Sequence, residues 1–197
     1  KKAQELALEH NIDINDLGLS DSGIVREKDI QILIGNKSKS SSRNDIQLKG
    51  QVNKDFLEKI EKDEEFLALP SEKKVQLYRK NGAIIQDGVE IGSETLIISD
   101  YINLKEGAKI SSNCYIKTFS FELGVMSILG KNANVVTRHV RIGDVFFSGN
   151  SITIGGGGAF SNRAKLIIGD ECLVSSHCLL NTGEGIIIGN RVGLSPH

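Results

Sequence analysis

The stretch Leu166 to Leu194 reads L-I-I-G-D-E-C-L-V-S-S-H-C-L-L-N-T-G-E-G-I-I-I-G-N-R-V-G-L. Its apolar residues fall in pairs two apart: Leu166/Ile168, Cys172/Val174, Cys178/Leu180, Ile186/Ile188 and Val192/Leu194. Each pair follows the last by six residues, except across Asn181-Thr182-Gly183-Glu184-Gly185, where the step is eight. Two residues apart is one face of a strand, and a sustained six means that the strand turns a corner before repeating. A helix needs apolar positions three and four apart, and a hairpin sheet needs turns that reverse the chain. A coil of very short parallel strands satisfies the pattern. The Gly that follows the aliphatic in Ile168-Gly169 and Ile188-Gly189 suits its corners.

Traced backwards, the repeat begins at Gly82-Ala83 and passes through Ile84, Val89/Ile91, Leu96/Ile98, Ile102/Leu104, Ala108/Ile110 and Cys114/Ile116. It blurs between Lys117 and Leu123, then resumes through Ile128, Val135, Val140/Ile142, Phe147 and Ile152/Ile154. At about 18 residues per three-sided coil, residues 82–197 predict roughly six coils.

Upstream, Phe56, Leu57 and Ile60 share one side of a predicted helix, and Glu61 to Glu65 reads as a solvated charge run. Pro70 marks a break, and Ser71 is placed to cap a second helix carrying Val75, Leu77 and Tyr78, which ends at Asn81-Gly82. Residues 53–81 are therefore expected to form a helical lead-in that caps the first coil, whose open strand edges would otherwise pair with another chain. Residues 36–52, polar and Ser-rich, read as a flexible linker. Residues 1–35 read as a small helical unit, with helices at Lys2 to His10 and Arg26 to Ile34 around a loop bracketed by Gly18 and Gly23.

Composition limits function. The chain has 197 residues, 25% charged and 39% hydrophobic, with a net charge of −1, so no electrostatic field draws it to nucleic acid or an anionic membrane. No apolar run reaches the roughly 18 residues of a membrane span. Cys114, Cys172 and Cys178 all fall at inward positions of the repeat, which fits small buried thiols in a reducing compartment, taken as the cytoplasm.

The sixes resemble the hexapeptide repeat of left-handed parallel β-helix acyltransferases. The expected fold is thus mainly β, a left-handed parallel β-helix over 82–197 preceded by short helices and a small helical N-terminal unit. Handedness comes from the resemblance, since a left-handed coil departs from the usual right-handed crossover. The resemblance implies acyl transfer from acetyl-CoA or another acyl-CoA as co-substrate to a sugar or sugar-linked acceptor. It also implies a homotrimer with active sites in the clefts between coils, and no metal. The run A-Q-E-L-A-L-E-H-N-I-D-I-N-D-L-G-L-S-D-S-G-I-V-R-E-K-D-I is similar to the peripheral subunit-binding domain of dihydrolipoamide acyltransferases, through Ile12-Asp13, Gly18, Gly23, Val25 and Asp29. That similarity implies a protein partner for residues 1–35. Ser20, Asp21 and Ser22 stand where that family has Gly-Pro-Gly, and Ile24 stands where it has an Arg that helps dock dehydrogenases.

Acyl transfer calls for a general base, and His, with its pKa near neutral, is the usual one. Of His10, His139, His177 and His197, His177 precedes the inward Cys178 and is expected to project outward. The run from Cys178 to Pro196 is similar in spacing to sugar O-acetyltransferases of the maltose and galactoside type. By that likeness His177 is a candidate catalytic residue, Asn181 and Thr182 bind the acceptor, and the family's principal His falls past His197. His139, between Arg138 and Arg141, sets three potentially positive groups on one turn that could meet a CoA phosphate or an anionic sugar, though an exposed polar corner accounts for them as well. The spacing of the histidines does not suit zinc. Gly155-Gly156-Gly157-Gly158 lacks the Lys and Ser/Thr of a nucleotide loop and is expected to let a loop fold closely over a coil face. The alternative function is a non-catalytic trimeric β-helix scaffold carrying a docking module.

Overall fold

The chain divides at Ile46/Gln47 into two units. The computed structural model describes residues 49–195, in the second unit; the expected helical unit at 1–35 and most of the linker at 36–52 lie outside the described residues.

Parallel strands of two to nine residues wind into a β-solenoid with three faces, the left-handed β-helix architecture that hexapeptide repeats build. The first face stacks β1 (Ile84–Ile85), the second half of β3 (Leu96–Leu104), the second half of β5 (Tyr115–Leu123), β8 (His139–Ile142), β11 (Lys165–Ile168) and β14 (Ile186–Ile188). The second stacks β2 (Glu90–Ile91), β4 (Lys109–Ile110), β6 (Ile128–Leu129), β9 (Phe147–Ser148), β12 (Leu173–Val174) and β15 (Gly193–Leu194). The third stacks the first halves of β3 and β5 with β7 (Asn134–Val136), β10 (Thr153–Gly155) and β13 (Leu179–Asn181). Two faces carry six rungs each, in agreement with the predicted number of coils.

The coil length differs from the expected 18. Rungs are offset by 19 residues through the upper part of the solenoid, by 26 where residues 155–163 are inserted, and by 20 at the lower end. The extra residue of each 19-residue coil sits at the corner between the third and first faces, where β3 and β5 bend without breaking. There Ser99, Thr118 and Thr137 turn inward and are buried, and the Thr118 hydroxyl donates to Ser99 Oγ at 2.9 Å. A polar inward residue at a seven-residue step is what blurs the apolar rhythm between Lys117 and Leu123.

The same chemistry corrects four inward assignments. Ile85 is buried rather than Ile84, and the inward pairs are Thr95/Ile97, Ser127/Leu129 and Phe146/Ser148, so Ile98, Ile128 and Phe147 lie on the outer side, while Leu96, the neighbour of Thr95, is itself buried. The inward hydroxyls are bonded to corner backbone: Thr95 to Ser111 O at 2.6 Å, Ser127 to Gly143 O at 2.8 Å, and Ser148 accepts from Gly130 N–H at 2.8 Å. A buried hydroxyl with its partner in place is tolerated, so apolarity alone selects the wrong neighbour here. In the lower coils Cys172 and Val174 are buried, and Cys178, Leu180, Ile186, Ile188, Val192 and Leu194 pack partly buried against the core, as the sixes predict. All three cysteines are free.

Coils stack closely enough that corner glycines are a steric requirement at particular positions. A Cβ on Gly124 would run into the Gly143 carbonyl of the next rung. Side chains also lace the corners: Asp144 accepts from Val125 N–H, Asp170 from Asp144 N–H and Asn190 from Asp170 N–H.

Three helices close the upper end: α1 (Lys54–Ile60), α2 (Glu64–Ala68) and α3 (Ser71–Lys80). A short helix thus begins within the expected charge run, started by the Asp63 carboxylate accepting from Phe66 N–H. Ser71 begins α3 but does not cap it; its hydroxyl accepts from Ile91 N–H at 2.8 Å. The other edge groups of the first coil are met similarly. Tyr78 Oη donates to Ile97 O and accepts from Ile97 N–H, Lys74 Nζ donates to Gly92 O and Thr95 O, and Arg79 donates to Ile85 O and Gln86 O. Gly50 to Val52, expected at the end of the linker, run antiparallel along β3 instead, with Val52 N–H bonded to Asp100 O and Ile102 N–H to Gly50 O. The edge on which another chain could pair is therefore occupied. Among the described residues no helix is long and apolar enough to cross a membrane.

Candidate functional site

The only long insertion among the described coils, residues 155–163, crosses the corner between the third and first faces. Gly155 and Gly156, with φ of 141° and 123°, start it, and a Cβ on Gly155 would strike the Val136 carbonyl. The loop is tied down on its lower side by Ser161 Oγ donating to Gly183 O at 2.8 Å and by Arg163 paired with Glu184 at 2.7 Å. On its upper side Asn162 accepts from Arg138, and the Phe160 ring meets the Phe119 ring edge-on at 6.0 Å between centroids.

Beneath that upper side lies His139, the first residue of β8. Its register neighbours on the first face are Ser120 above and Lys165 below. Nδ1 is 2.9 Å from Ser120 Oγ, and Arg138 Nε–H donates to Nε2 at 3.2 Å. Since a guanidinium can only donate, Nε2 carries the lone pair and Nδ1–H donates to Ser120 Oγ. Arg138 also lies over the Phe119 ring, 5.2 Å from its centroid. Partial burial of the ring, and then the positive charges of Arg138 and Lys165, hold the His139 pKa below the usual imidazole value. The surroundings thus favour the neutral imidazole, and the two hydrogen bonds define its tautomer. Arg141, two residues on, points outward beside Glu122 in register.

The three sequence-predicted site residues do not meet. His177 is exposed, as expected, at the corner between the second and third faces, in a left-handed conformation (φ 61°). Asn181 lies four residues on, roughly 13 Å along an extended strand. Its side chain accepts from Gly183 N–H and faces Gly156 at the root of the loop, on the opposite flank from His139. Thr182 is fully buried, and its hydroxyl donates to Thr137 at 2.7 Å, so it serves the corner column of hydroxyls and does not line a surface. It reaches Thr137, two coils above, because the coil between them leaves the column at the inserted loop.

The grouping of Phe119, Ser120, Phe160 and Lys165 about His139 was not legible in the chain. Only the 19-residue offset would have aligned Ser120 with His139, and the 26-residue offset His139 with Lys165. Among the described residues no cluster of three or more His, Cys, Asp or Glu side chains is arranged to hold a metal ion. Comparison with known proteins finds no family model, no curated protein and no solved structure that matches the chain.

Proposed function

We propose that this chain is an acyl-CoA-dependent acyltransferase that moves an acetyl or other acyl group to a hydroxyl of a sugar or sugar-linked acceptor. One observation carries the reading: among the described coils the regular solenoid has a single long insertion, over an outward imidazole that accepts from Arg138 at Nε2 and is bonded to the Ser120 hydroxyl through Nδ1. In this scheme His139 Nε2 takes the proton of the acceptor hydroxyl once Arg138 releases it. The oxygen attacks the thioester carbonyl, the C–S bond breaks, and the proton passes to the departing CoA thiolate. Ser120 orients the ring, and Asn181, on the far side of the loop, contacts the acceptor. The free thiols support a reducing, cytoplasmic setting.

The test is acyl-CoA-dependent release of CoA thiol with a panel of hexosides. His139→Asn is expected to lower kcat/KM by about 10²- to 10⁴-fold, and Ser120→Ala by about 10-fold. His177→Ala is expected to stay within about threefold; a loss there of about 10²-fold would return the base to His177. Failure to bind acyl-CoA or release CoA would leave the scaffold reading. That reading has its own support in an outward apolar patch at the second face, where Met126, Val145, Phe147 and Leu173 are all exposed. In either case we propose that this patch is the contact through which the chain forms a homotrimer.

A further inference from the structure

The corner around His139 is short of negative charge. Among the described residues six ion pairs hold Arg79, Lys105, Lys109, Lys117, Arg163 and Arg191 to carboxylates, and Arg138, Arg141 and Lys165 are in none of them. Glu122, the carboxylate on the neighbouring strand, faces Arg141 in register and accepts from the Asn103 amide. Lys165 lays its stem along Gly185, whose missing side chain leaves that space open. Two uncompensated cations, an imidazole whose Nε2 carries the lone pair and the Ser120 hydroxyl therefore share one edge of the loop. Like charges that crowd one corner raise the energy of the empty site, and an oxyanion placed among them lowers it.

We infer that this corner binds a phosphate-class oxyanion carried by the acceptor, and that the anion draws Arg138 away from His139 Nε2, freeing the base only when the acceptor is present. A phosphate fits better than a carboxylate. It brings up to two charges and three terminal oxygens, enough for the paired N–H donors of a guanidinium and an ammonium one rung away, about 4.8 Å along the stack. The anion belongs to the acceptor rather than to CoA because it lies beside the reacting atoms. In an acyl-CoA the whole pantetheine arm separates the thioester from the nearest phosphate. The word acceptor rests on the acyl-transfer reading, whereas the anion site itself does not.

The test is a titration of the full chain, followed through the imidazole ¹⁵N signals of His139, which are assigned by their loss in His139→Asn. Inorganic phosphate and a hexose phosphate are expected to give a saturable shift and to raise the apparent His139 pKa; the unphosphorylated hexose and sodium chloride at equal ionic strength are not. Arg138→Gln, at a half-buried position, and Lys165→Gln, at an exposed one, should each weaken the response by about 10-fold or more, and Arg141→Gln should leave it unchanged. In turnover, kcat/KM for the hexose phosphate should exceed that for the hexose by at least about 10-fold, and Arg138→Gln should bring the ratio near one. No saturable shift, or an equal shift in Arg138→Gln and Lys165→Gln, overturns the site. A shift with CoA that is lost with 3′-dephospho-CoA, and absent with hexose phosphate, assigns the cations to the donor and also overturns it. Phosphate binding without any acyl transfer upholds the anion site and sinks the acyltransferase reading. Transfer to neutral hexosides without phosphate binding does the reverse.

Discussion

Tyr78 shows how much one buried polar atom can hold. Its ring is wholly buried and packs edge-on against Phe56 and Phe66, while its hydroxyl both donates to and accepts from Ile97 at 2.9 and 3.0 Å. Burial pushes its pKa above the ordinary phenol value, against a smaller opposing effect of the bond to Ile97. Tyr78→Phe removes no packing but strands a buried N–H and C=O, so it is expected to cost about 2–3 kcal/mol by urea denaturation. The sign of the pH dependence follows from the raised pKa: the folded state keeps the proton that the unfolded state releases. The advantage over Phe is therefore full below the unfolded phenol pKa of about 10 and falls as pH rises above it. An advantage that grew above pH 10 would contradict this. Lys74, also buried, is shifted in the opposite sense, its pKa lowered by burial against the raising effect of Glu94. Its burial thus costs stability while it is charged, and that cost fades as pH rises toward the unfolded lysine value.

The loop at 155–163 and the coil that carries it are separable by construction. Deleting residues 157–163 joins Gly156 to Ala164 and restores the 19-residue spacing, placing Lys165 under His139 as before. Shortening a surface loop by seven residues changes closure entropy only slightly, so the deletion is expected to alter unfolding free energy by no more than about 1 kcal/mol. The same deletion removes Phe160 and Asn162 and should abolish the phosphate-induced His139 shift or weaken it by about 10-fold or more. Calorimetry and the titration together check this; a large loss of stability would mean that the loop belongs to the core. The sequence carried a partial signal here. The run of four glycines marked a loop that folds closely over a coil, but its side-chain contacts across the corner depend on coil offsets that alter just where the loop enters.

Assembly is expected to use the second face. Phe147 and Leu173 are register neighbours there, with the half-buried Ile128 above them and Met126 and Val145 along the adjoining corner. A patch of this kind on a rigid prism suits self-association. Sedimentation should give a trimer at micromolar concentration, and Phe147→Glu with Leu173→Glu should give monomers that melt within a few degrees of the parent, because both side chains lie outside the core. A monomeric parent would remove the trimer and any site shared between subunits. What the order of residues decided was the coil itself. Two-residue pairs at six-residue steps leave parallel stacking as the way to bury one side of each strand, and the amphipathic runs before Gly82 make the cap helices. What only the tertiary structure decided were the register details and the site. Serine and threonine enter the core where corner carbonyls and N–H groups await them, as at Thr95, Ser127 and Ser148, so a rule based on apolarity passes over all three and selects Ile128 and Phe147, which lie outside the core. Ser120, His139 and Lys165 are separated by 19 and 26 residues and meet only because successive coils lie one above another, a distance across the stack that the spacing along the chain does not contain.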